Sequence, residues 1–210
     1  ARQGGVADGV LAGTVTSDNG PEAGVWVIAE TNELETKFAK IVVTDDRGRF
    51  VLPQLPEATY DVWVRGYGLI DSEKIRVRPG TTQDLKAVLA PDPHAAAQYY
   101  PAGYLCSLIE VPAKSEFPGT GLGGNGISPT MRSQAEWLRN LKSAGCMACH
   151  QLGNKATREI PTALGEFAST ADAWDRRIQS GQAGGSMSGG LDRLGRRRAL
   201  EMFADWTDRI

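Results

Sequence analysis

At 210 residues the chain is long enough for one large domain or two small ones. A formal net charge of −2, with no recognised nucleic-acid motif, argues against a nucleic-acid partner. No apolar run is long enough to span a membrane as a helix, and three cysteines are too few for a disulfide framework to be the main stabiliser.

The start, Ala1 to Gly5, lacks a signal-peptide core and is compatible with a processed mature N-terminus. Charge is spread unevenly along the chain. Ala1–Ile127 carries eleven Lys+Arg against sixteen Asp+Glu, and Ser128–Ile210 carries twelve against nine. That polarity either orients the two halves or steers an acidic partner toward the second. A solvated surface of mixed charge accounts for it as well.

From Val10 to Leu89 the pattern is strand, turn, strand. Leu11–Thr16 alternates and runs into the turn-rich Ser17-Asp18-Asn19-Gly20-Pro21. Val25–Ala29, Phe38–Thr44, Arg49–Leu52, Thr59–Arg65, Lys74–Arg78 and Gln83–Leu89 follow, each with a period of two or a short apolar run. Asp45-Asp46-Arg47-Gly48 reads as a tight hairpin turn. Seven short strands at regular spacing predict an all-β sandwich over residues 1–90. Asp18, Asp45 and Asp46 have the oxygen ligands that calcium favours, but Asp before Gly is also ordinary turn chemistry.

The runs Gly13-Thr14-Val15, Gly24-Val25-Trp26-Val27, Thr44-Asp45-Asp46-Arg47-Gly48-Arg49-Phe50, Leu55-Pro56 and Tyr60-Asp61-Val62 resemble the carboxypeptidase regulatory-like domain. The resemblance implies a prealbumin-like sandwich of about seven strands, used in most proteins as an accessory module for folding, docking or adhesion.

Residues 91–127 form a connector broken by Pro91, Pro93, Pro101, Pro112 and Pro118. Tyr99, Tyr100, Tyr104, Leu105, Leu108, Ile109 and Phe117 are too apolar to stay solvated, so the connector is expected to be packed. Cys106 lies here, either as a small buried hydrophobe or as the odd cysteine of an intermolecular disulfide. His94 is expected at the surface.

Residues 128–210 read as helical. Ser128-Pro129 predicts a helix start, with Met131, Gln134, Leu138 and Leu141 on one face. Then comes Cys146-Met147-Ala148-Cys149-His150. C-x-x-C-H is the spacing of a c-type haem attachment site. Two thiols three positions apart can reach the two vinyl groups on one porphyrin edge, and the adjoining His150 can bind the iron. A redox-active C-x-x-C wants a βαβ context that is missing. A zinc site wants two further Cys or His, and only the distant Cys106 and His94 are available.

Thr170 caps a further predicted helix through Gln179, with Trp174 and Ile178 at i,i+4. A glycine-rich loop over Gln182–Gly190 is expected to carry Met187 at its middle, a soft thioether suited to the distal face of haem iron. Met147 should project away from the iron, and Met131 and Met202 should serve the core. Leu191–Ile210 is expected to form one last helix. Its Arg196-Arg197-Arg198 cluster is either a solvated face or a docking surface.

From Ser143 onward the chain resembles class I c-type cytochromes, a match carried by Cys146, Cys149 and His150. The resemblance implies an all-α class I cytochrome c domain with one covalent haem c, His150 as proximal ligand and Met187 as distal ligand. The expected architecture is thus two-domain, a seven-stranded prealbumin-like sandwich followed by that cytochrome domain. The order of the two parts loosely resembles larger bacterial proteins that continue into a β-propeller similar to streptogramin lyases. The expected function is single-electron transfer with redox-partner proteins, in the periplasm or at the cell surface. The alternatives are a relay subunit of a larger dehydrogenase complex, or a structural haem-bearing subunit that oligomerises through the sandwich.

Overall fold

The computed structural model describes residues 7–210, so the segment from Ala1 to Gly5, with its expected processed terminus, lies outside the described residues. The chain divides into two compact units, Ala1–Tyr100 and Pro101–Ile210. The first ten residues of the expected connector therefore belong to the first unit, and the remainder to the second.

The first unit contains β1 (Leu11–Ser17), β2 (Gly20–Pro21), β3 (Trp26–Thr31), β4 (Phe38–Val43), β5 (Arg49–Leu52) and β6 (Tyr60–Arg65). Then come β7 (Leu69–Ile70), β8 (Ile75–Val77), β9 (Thr81–Thr82), β10 (Leu85–Lys86) and β11 (Val88–Leu89), followed by α1 (Pro93–Ala97). One antiparallel sheet has the order β4-β3-β6-β8. The other is built on β1, antiparallel to β2 and β5 and parallel to β9 and β10.

The period of two in the sequence decides which side chains enter the core. Val27 pairs across β3 and β6 with Val64, and Ala29 with Val62; all four are buried. From the β1 sheet, Leu11, Val15, Phe50, Leu52 and Leu85 join the same core. Burying each such Val or Leu stabilises the fold by about 1.5–3 kcal/mol. Tyr60 is buried and donates its hydroxyl to the Pro56 carbonyl at 2.9 Å, so its polar end costs little.

The seven-strand expectation locates the long strands but misses two-residue pieces. The single strand expected over Gln83–Leu89 is broken because its two ends take different partners. Leu85 and Lys86 pair with β1, whereas Val88 and Leu89 pair with β7.

The second unit has seven α-helices among the described residues: α2 (Ala102–Ser107), α3 (Gln134–Leu141), α4 (Cys146–Cys149), α5 (Lys155–Arg158), α6 (Thr170–Ile178), α7 (Gly184–Leu194) and α8 (Arg196–Asp208). Two 3₁₀ turns lie at Lys114–Glu116 and Thr162–Leu164. Aromatic side chains hold the unit together. Trp206 is fully buried and donates its indole N–H to the Leu105 carbonyl at 2.7 Å, tying α8 to α2. Trp174 stacks on Phe203 at 5.1 Å and donates to the Thr207 hydroxyl at 3.0 Å, tying α6 to α8. Trp137 meets Phe117 edge-on at 6.3 Å.

This arrangement corrects the expected fold class. The protein is a mixed molecule, a β-sandwich region plus a region of seven α-helices, and its helical part does not present the class I cytochrome c fold. Three local causes are visible. The stretch expected to be a glycine-rich loop is mostly helical, since α7 runs through Met187. The helix expected to start at Ser128 starts after Ser133, whose hydroxyl accepts the Glu136 N–H while the Glu136 carboxylate accepts the Arg132 N–H. Ser128 instead makes a local turn with Thr130. The last helix is interrupted at Gly195, whose φ of 104° separates α7 from α8. A side chain at Gly195 would also overlap the Gly126 carbonyl oxygen.

Candidate functional site

The helix α4 is a single turn. Gly145 precedes it and supplies no side-chain cap. Glycine is needed there because a Cβ would overlap the Asn140 carbonyl oxygen at the end of α3. Within the turn Cys146 and Cys149 stand three residues apart and so share one face. His150 leaves the helix in extended conformation, with its backbone N–H donating to the Cys146 carbonyl at 2.9 Å. The chain is then held by Asn154, whose side chain accepts the Thr157 N–H at 3.0 Å and caps α5.

Cys146, Cys149, His150 and Met187 all line one cavity of ≈ 600 Å³. That is within the range of cofactor and ligand pockets. The apolar walls come from Leu152 after the motif, Trp174 and Ile178 of α6, Leu191 of α7 and Phe203 of α8. The face of α6 marked by Trp174 and Ile178 is the one that meets the cavity.

Cys149 and His150 are exposed toward this open space, while Cys146 is half-buried. Burial raises the Cys146 thiol above its ordinary range, so less of it is thiolate at neutral pH. Among the described residues all three cysteines are free thiols. The chemistry available to the set is specific. Two thiols on one helical turn can form two thioethers to one planar group, the adjoining imidazole can bind a metal, and the Met187 thioether lining the same cavity is a further soft donor.

The other sequence-stretch candidates lie elsewhere. Met147 is exposed and is not part of the cavity wall, while Met131 and Met202 are buried. His94 is exposed on α1 in the first unit. Cys106 is half-buried, and burial raises its thiol pKa. Asp45 accepts the backbone N–H groups of Arg47 and Arg49 and pairs with the Arg49 side chain, while Asp18 pairs with Lys86. Among the described residues no three His, Cys, Asp or Glu side chains form a metal-binding group. The triple-arginine cluster is committed internally. Arg196 pairs with Asp175 at 2.6 Å, Arg197 donates to the Gly124 carbonyl, and Arg198 pairs with Glu116 at 3.2 Å.

Among the cavity residues that the sequence reading does not single out are two cations, Arg177 of α6 and Arg193 of α7. No pattern in the sequence sets them apart from the other arginines on solvated helix faces. Arg177 donates to the Ala156 carbonyl on α5, and burial lowers the pKa of its guanidinium.

Comparison with known proteins bears on the first unit. Residues 10–90 match the model of the carboxypeptidase regulatory-like domain. The N-terminal part of the chain carries that domain. No curated protein matches the chain significantly. Among solved structures, a streptococcal ancillary pilin is 16% identical with a TM-score of 0.34, over 40% of this chain and 30% of the pilin. The Bacillus anthracis TIE protein is 22% identical with a TM-score of 0.31, over 40% of this chain and 17% of that protein. Catechol 1,2-dioxygenase from Pseudomonas arvilla C-1 is 13% identical with a TM-score of 0.31, over 45% of this chain and 57% of the enzyme. The match thus spans less than two thirds of each of these three proteins. Among the described residues no helix is long and apolar enough to cross a membrane.

Proposed function

We propose that the chain is an exported monohaem c-type cytochrome, acting in the periplasm or at the cell surface of a bacterium and passing single electrons between partner proteins. The observation that carries this reading is the convergence of Cys146, Cys149, His150 and Met187 on one apolar-walled cavity. The residues fit the group in three respects: paired thiols on one turn, an imidazole beside them, and a thioether lining the same cavity. When bound, the haem supplies a one-electron iron couple. Cys146 and Cys149 would hold it covalently and His150 would bind the iron. Met187, carried by α7, would supply a thioether donor to the iron. Leu152, Trp174, Ile178, Leu191 and Phe203 exclude water, which lowers the local dielectric and favours the less charged reduced state. A haem held by both His150 and Met187 would offer no open iron site to a substrate, which is why this reading is electron transfer rather than catalysis.

The carboxypeptidase regulatory-like domain serves in this reading as a docking or assembly module for a redox partner, a larger dehydrogenase complex or further copies of the chain. Its edge strand β4 exposes Ile41 and Val43, which are 58% and 57% accessible, and an open edge of this kind is a ready contact surface.

The Met187→Ala variant tests the axial assignment. It is expected to keep its covalent haem and to lose the thioether-to-iron charge-transfer band of the oxidised protein. An unchanged band would remove Met187 from the iron.

A further inference from the structure

Most arginines in this protein have an acidic partner. Arg49, Arg65, Arg76, Arg158, Arg196, Arg198 and Arg209 all form ion pairs within 3.5 Å. Among the described residues Arg177 and Arg193, like Arg47, Arg132, Arg139 and Arg176, make no ion pair, but they alone of these six line the cavity. No aspartate or glutamate among the described residues lines it with them. Arg177 is half-buried, and its hydrogen bond goes to the neutral Ala156 carbonyl. A guanidinium removed from water without a counter-anion is costly, and burial alone depresses its pKa. The cavity therefore combines apolar walls with two uncompensated cations from two different helices. That is the complement of a flat apolar molecule bearing two carboxylates.

Given the haem reading above, on which this inference rests, we propose that Arg177 and Arg193 are positioning residues that bind the two propionate carboxylates of the haem. Arginine suits this role because its planar fork meets a carboxylate with two parallel N–H donors. The thioethers to Cys146 and Cys149 would hold the haem covalently, and the two arginines would neutralise its propionates and orient it in the cavity. The arginines also act on the electron. A cation near the iron disfavours the more positive oxidised state, and a paired propionate stays ionised at lower pH.

The test uses the purified haem-loaded protein and its Arg177→Gln, Arg177→Lys and Arg193→Gln variants. The readout is midpoint potential as a function of pH. The wild type is expected to give a potential that is flat through the mildly acidic range. Arg177→Gln is expected to retain covalent haem, to show a lower potential at neutral pH, and to gain a pH-dependent segment as a freed propionate titrates. Arg177→Lys should restore part of the potential. Arg193→Gln, which removes an exposed side chain and leaves the core intact, should show the same signature in smaller degree. Haem-loaded variants whose potentials and pH profiles coincide with the wild type would overturn the propionate assignment while leaving the cytochrome reading intact. A wild-type protein that carries no haem would overturn both.

Discussion

The two units solve the same problem, burying apolar surface, with opposite results for chemistry. In the first, Val27, Ala29, Val62, Val64, Leu11 and Leu52 close on one another, and its acidic turn residues Asp18 and Asp45 are used up by Lys86 and Arg49. In the second, Trp174, Ile178, Leu191 and Phe203 are buried by the fold and yet still border an open volume of ≈ 600 Å³. The difference teaches where function resides. A core that fills itself stabilises the fold, whereas a core that stops short around paired thiols is shaped for a guest.

The largest expected effects come from breaking each core separately. Trp206→Ala removes the indole that ties α8 to α2 and is expected to cost about 3–5 kcal/mol. Leu52→Ala in the sandwich is expected to cost about 2–5 kcal/mol. Denaturant unfolding followed together with haem absorbance checks the contrast. Trp206→Ala should perturb the haem absorbance spectrum and its unfolding midpoint, and Leu52→Ala should lower stability with the haem spectrum unchanged. Identical changes in the haem spectrum of both variants would contradict the assignment of the cofactor to the helical unit.

A smaller effect sharpens the sandwich side. Two backbone N–H groups and the Arg49 side chain hold the Asp45 carboxyl down to about 2. A depressed carboxylate pKa adds stability that is present above the unfolded value and lost as pH falls through the folded one. The Asp45 contribution should therefore disappear between about pH 4 and pH 2. Asp45→Asn is expected to flatten the acid limb of the stability profile in that window and leave the haem spectrum at neutral pH untouched. Chemical denaturation across the acid range measures it.

The sandwich was legible because its information is local. Alternation in Val25–Ala29 and Thr59–Arg65, and the Asp45–Gly48 turn, reveal themselves within a few residues. What escaped were the two-residue strands β2, β7 and β9 and pairings between distant segments, such as the partner switch between Leu85–Lys86 and Val88–Leu89. In the second unit the haem-attachment reading of Cys146, Cys149 and His150 rests on spacing alone, and the structure adds that the three residues line one cavity. The helix boundaries could not be read from the sequence. Glycine at Gly184, Gly185, Gly189 and Gly190 argues for a loop on propensity, yet α7 forms through them because Leu191 and Leu194 are buried against the unit's core. The cavity walls were legible in part, as the Trp174–Ile178 face. Arg177 and Arg193 were not, because an arginine facing a cavity and an arginine facing solvent look alike in one dimension. For Arg196, Arg197 and Arg198 the same ambiguity resolved the other way, into internal ion pairs and loop contacts.

The measurement that bears most directly on the central claim is the intact mass of the denatured, natively produced protein, set beside thiol alkylation of the same sample. The expected result is a mass greater than that of the polypeptide by one haem, with Cys106 the only cysteine open to alkylation after unfolding. A polypeptide of unmodified mass, with Cys146 and Cys149 both alkylated after unfolding, would contradict the account.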